Sequence, residues 1–129
     1  MTHSVSDYYL SELNDWIRAI EFYEEEIEEM EDKLMEVIHQ NTIPNLAANA
    51  EHFMNTLNNQ KISFQLLEKE IDEQEKILLN NDIPVEKEAI KPKIKVQQNT
   101  IREKMQEAEK SYIDTKYSCY NFLSGLLNK

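Results

Sequence analysis

One glycine, three prolines, one cysteine and one tryptophan stand in a chain of 129 residues. Sandwiches, barrels and Rossmann-type folds need glycine-rich turns at many points, so a lone Gly125 argues against all of them. It also leaves no Gly-rich loop able to cradle a phosphate. Cys119 by itself can form neither an internal disulfide nor a cysteine-based zinc site. No uninterrupted apolar run approaches the roughly 18 residues that span a bilayer; Ile77-Leu78-Leu79 is typical of the longest. The opening MTHSVSDYYL lacks a basic start, an apolar stretch and a small-residue cleavage site, so no secretory signal is expected. Together these absences suggest a reducing, cytoplasmic setting. Basic residues are also scarce, 14 against 25 acids, for a net charge of −11. Such a surface repels phosphate backbones and anionic lipid headgroups, so neither nucleic acid nor membrane is an expected partner.

What the chain does have is apolar residues in a fixed 4–3 spacing. The first series runs Tyr9, Leu13, Trp16, Ile20, Tyr23, Ile27, Met30, Leu34, Val37. The second runs Leu46, Ala50, Phe53, Leu57, Gln60, Phe64, Leu67, Ile71, Gln74, Leu78. The third runs Ile94, Gln98, Ile101, Met105, Ala108, Tyr112, Thr115, Cys119, Phe122, Leu126. A period of 3.5 held this long predicts helices packed along a shared seam in coiled-coil fashion. No segment alternates with period two, so strands are not expected.

Two short breaks separate the series, Asn41-Thr42-Ile43-Pro44 and Asn80-Asn81-Asp82-Ile83-Pro84. Each supplies Asn for a helix end, Thr or Asp to cap the next helix, and Pro for its first turn. The expectation is one all-α domain over 1–129, with helices at about 6–40, 44–79 and 86–127. Short connectors make neighbours antiparallel, which gives an up-down-up three-helix bundle. Pro92 is awkward, because inside a helix it removes a hydrogen bond and clashes one turn back. The third helix therefore either begins near Lys91 or is kinked there. An open hairpin completed by a partner's helix is the other arrangement this pattern permits.

Charge is uneven. Residues 1–40 carry 12 acids and 2 bases, residues 41–80 carry 6 and 3, and residues 81–129 carry 7 and 9. With the outer two helices parallel, the acidic block Glu21 to Asp32 is expected at about the height of Arg102, Lys104 and Lys110. The rest of that block reads as a solvated face, since Ile27 and Met30 keep the seam in phase through it.

Chemistry-bearing residues are few. Glu36 and His39 make one Glu-x-x-His spacing, which ferritin-like carboxylate proteins use twice to bind paired metals. The second copy is missing, since Asn49 stands three residues before His52. A metal-binding bundle using Glu36, His39 and His52 is thus the alternative, and no catalytic residue, metal or cofactor is expected in the main reading. Cys119 falls on the seam, where a thiol behaves as a small hydrophobe. Gln60, Gln74 and Gln98 interrupt the seams and are candidates for fixing register.

A second apolar stripe lies off the third seam. Ile113, Tyr117, Tyr120 and Leu127 fall at heptad positions b and f, which point away from a three-helix core. The expected function is non-catalytic, through contact with a protein partner or a second copy, and this stripe is the expected contact. Phe22, Ile62 and Leu66 form a smaller off-seam group.

Overall fold

The computed structural model describes residues 4–40, 43–80 and 92–127, the side chain of Leu127 excepted. It contains α1 (Val5–Gln40), α2 (Pro44–Asn80) and α3 (Pro92–Leu127), with no strand among the described residues. At 1.5 Å per residue, each helix is about 55 Å long.

The ends follow local chemistry. Ser4 caps α1: the Asp7 amide donates to Ser4 Oγ at 3.1 Å, and the Ser4 amide donates to Asp7 Oδ2 at 3.3 Å. This reciprocal pair satisfies two amides that a helix start leaves orphaned. Pro44 opens α2, where its missing N–H costs nothing, and the Ile43 carbonyl accepts from Leu46 and Ala47. The suggested caps Thr42 and Asp82 lie outside the described residues. So does the stretch 86–91, and α3 is described from Pro92 onward.

Every residue of the three 4–3 series is buried or half-buried. Leu13, Ile20, Ile27, Leu34, Leu57, Phe64, Ile101, Tyr112 and Cys119 have no exposed surface. Half-buried Leu10, Ile17, Ile38, Met54 and Leu123 widen each seam by one position, as a three-helix core requires. All three helices therefore share one core, and the open hairpin is not what forms. At mid-height each helix contributes a ring to an aromatic trio. Tyr23 stacks on Phe64 with centroids 5.5 Å apart, and Tyr112 lies 5.0 Å from Tyr23 and 5.9 Å from Phe64. Such pairs add about 0.5–1.5 kcal/mol beyond the area they bury.

The α1 and α3 backbones approach least closely of the three pairs. Long polar side chains span that gap, and they fix its register. Side-chain bonds between the two helices join residues 86 or 90 apart, as in Tyr23–Glu109, Glu26–Tyr112 and Glu26–Lys116. A constant difference means parallel helices, as expected. The height differs from expectation: the block Glu21 to Asp32 lies opposite about 107–122, which includes Lys110. Arg102 instead meets Glu12, and Lys104 turns to Glu70 on α2 at 2.7 Å.

Candidate interaction surface

The outer face of α3 is positioned by two polar clasps on its α1 side. In the first, Glu12 Oε1 accepts from Gln98 Nε2 at 2.9 Å and from Arg102 Nη2 at 2.6 Å, while Glu12 Oε2 accepts from Arg102 Nε at 2.9 Å. The second stands two heptads further along. Glu26 accepts there from the Tyr112 hydroxyl at 2.9 Å and from Lys116 Nζ at 2.7 Å. In both, a glutamate beside the α1 seam accepts one bond from a buried α3 seam residue and also binds the base a turn later. Bonds to charged groups are the stronger kind, about 1.5–3 kcal/mol each.

Titration behaviour follows the same contacts. Burial pushes the Glu12 carboxyl up, but hydrogen bonds from Arg102 and Gln98 outweigh it and hold the group below the usual carboxylate range. Hydrogen bonding to Glu26 raises Lys116. Burial and the hydrogen bond to Glu109 push the Tyr23 phenol up to about 12. Burial and Glu26 push the Tyr112 phenol up as well, so both tyrosines act only as neutral donors near neutrality.

On the far side of α3, Ile113, Tyr117 and Tyr120 are 39%, 64% and 37% exposed, large side chains left in water on one helix face. Lys116, held by Glu26, places its ammonium 5.7 Å from the Tyr120 ring centroid. Tyr120 thereby leans toward the α1 flank, and burial together with the nearby Glu26 raises its phenol. The fourth stripe residue, Leu127, closes the described helix, and its side chain is outside the description. Phe22, Ile62 and Leu66 are also exposed.

The seam glutamines are buried and bonded. Gln74 Nε2 donates to Gln98 Oε1 at 3.1 Å and to the Ile94 carbonyl at 3.0 Å. Gln98 Nε2 donates in turn to Glu12 and to the Tyr9 carbonyl, so one chain of bonds crosses all three helices. Gln60 Nε2 reaches Thr115 Oγ1 at 2.7 Å. Beside Gln60, a groove of about 410 Å³ runs between α2 and α3, with Leu66, Glu70, Lys104 and Ser111 among its walls.

Glu36, His39 and His52 are exposed and do not form a ligand set: among the described residues, no three His, Cys, Asp or Glu side chains are placed to hold a metal. Cys119 has no exposed surface, and burial pushes its thiol up to about 11, which suppresses the reactive thiolate. Among the described residues no helix is long and apolar enough to cross a membrane.

Comparison with protein-family models, with curated proteins and with solved structures finds no match to this chain. The two clasps were not foreseen from the sequence. Their signal was there, since Glu12 and Glu26 repeat at the same 14-residue spacing as Arg102 and Lys116.

Proposed function

We propose that this protein is a non-catalytic, cytoplasmic helical bundle that works by protein–protein contact, and that its contact surface is the outer face of α3. The observation that carries this reading is the exposure of Ile113, Tyr117 and Tyr120 on one face of a helix whose opposite face packs against the core. Contiguous exposed apolar surface marks interaction sites, and tyrosine suits them because its hydroxyl stays hydrated while its ring is covered.

Charge favours a second copy of the chain as the occupant. Residues 1–40 carry a net −10, whereas residues 81–129 carry +2. Two copies meeting along α3 keep their acidic α1 helices apart, while contact through α1 would set like charges together. In the sequence, Leu127 stands one heptad step beyond Tyr120.

Sedimentation velocity of the wild type and of a Tyr117→Glu, Tyr120→Glu variant tests the reading. A wild-type dimer that the variant loses is the expected result. A monomer in both cases, with the same partners recovered from pull-downs by both proteins, ends it.

A further inference from the structure

The flank between α1 and α2 holds a rung where two like charges meet. Lys61 Nζ lies 3.9 Å from Glu31 Oε1, which fixes the antiparallel register of this pair: facing residues have numbers that add to 92. One heptad away the same ladder carries half-buried apolar residues, Ile38 and Met54. One heptad the other way it carries Glu24 and Glu68, both half-buried. Glu68 Oε1 is shut off from solvent with no donor bonded to it. A buried carboxylate oxygen without a donor costs free energy, and two ionised carboxylates on one rung repel each other. A single proton held between them removes both penalties.

We infer that Glu24 and Glu68 share one proton and form a pH-sensitive clasp between α1 and α2, closed while the proton is held and opposed by repulsion once it is lost. The surrounding charges agree with this. Burial pushes the Glu24 carboxyl up, the hydrogen bond and charge of Glu68 add to that, and together they take it to about 7. Lys61 on α2 opposes the rise and Glu28 on α1 reinforces it. On the opposite flank of α1, facing α3, Glu12 and Glu26 are paired with Arg102 and Lys116. The folded-state value lies above the ordinary 4.5, so the clasp stabilises the fold fully below about 4.5 and ceases to do so as the pH rises through about 7. The proton belongs to the pair and not to either residue. The clasp is separate from the α3 face and stands or falls without it.

Thermal unfolding between pH 5 and 8 tests the clasp on wild type, Glu24→Gln, Glu68→Gln and the exposed control Glu25→Gln. In the wild type the midpoint falls by about 5 °C as the pH rises, beyond the change common to all variants. Glu24→Gln supplies a permanent amide donor, so that extra fall vanishes and the variant melts above the wild type at pH 8. Glu25→Gln, which removes the same charge from the same helix, keeps the wild-type slope. Carboxyl carbon resonances of the wild-type protein give a second reading that needs no variant, with one titration on this rung centred near 7. Wild-type slopes in both clasp variants, or midpoints below 5 for both carboxyls, overturn the inference.

Discussion

At the scale of single residues, Glu12 carries three hydrogen bonds, one from Gln98 and two from Arg102. Glu12→Ala removes the acceptor of one buried Gln98 donor and of two Arg102 donors, and a cost of about 2–4 kcal/mol in urea unfolding is the expected outcome. Its pH response runs opposite to that of Glu24. Because the Glu12 carboxyl is held below its ordinary value, the stability it contributes is present above the usual carboxylate range and is lost as the pH falls through the lowered value. Unfolding measured from pH 5 down to pH 2 should therefore show wild type losing more stability than Glu12→Gln. Cys119 gives a separate check on burial. With no exposed surface and a thiol pushed up to about 11, it should be alkylated by iodoacetamide only as fast as the protein unfolds. Rapid labelling of the native protein at pH 7 would show that the core end of α3 is open.

At the scale of the helices, the seam carries the stability. Ile20→Ala and Ile27→Ala each remove a side chain with no exposed surface, and should each cost about 2–5 kcal/mol in denaturant unfolding. Glu25→Ala and Glu29→Ala sit on the exposed face, where substitutions stay within about 0.5 kcal/mol. Equal losses in the two sets would mean that the seam is not the core. Helix number and seam membership were legible before the structure, because burial along a helix imprints its period on every turn. The register between α1 and α3 was not. A seam with a seven-residue period looks the same after any shift of whole heptads, so Arg102 could be set against Glu21–Asp32 when it belongs to Glu12. Only individual bonds, such as the one from Tyr112 to Glu26, distinguish those alternatives. The Ser4–Asp7 capping pair was missed for a simpler reason, since it lies outside the heptad pattern. At the candidate surface, the exposure of Ile113, Tyr117 and Tyr120 was readable from their b and f positions. The lean of Tyr120 toward α1 was not, because it depends on Lys116 being drawn to Glu26.

For the whole molecule, the −11 net charge is concentrated along α1, and the two clasps use only a small part of it. Fluorescence anisotropy with duplex DNA at micromolar protein and physiological salt should therefore detect no binding, and a salt-sensitive rise would contradict that expectation. The clasps have one more consequence, and it concerns size. Glu12 and Glu26, Gln60 and Gln74, and Gln98 and Tyr112 are each spaced by 14 residues, so the bundle contains a unit that every helix passes through once. Excising that stretch from all three helices at once would leave each seam in phase. Glu12 would again face Gln98, with Lys116 taking the place of Arg102 one turn on. The bundle is in this sense modular in length: it can be shortened by these two heptads and still close on a complete clasp.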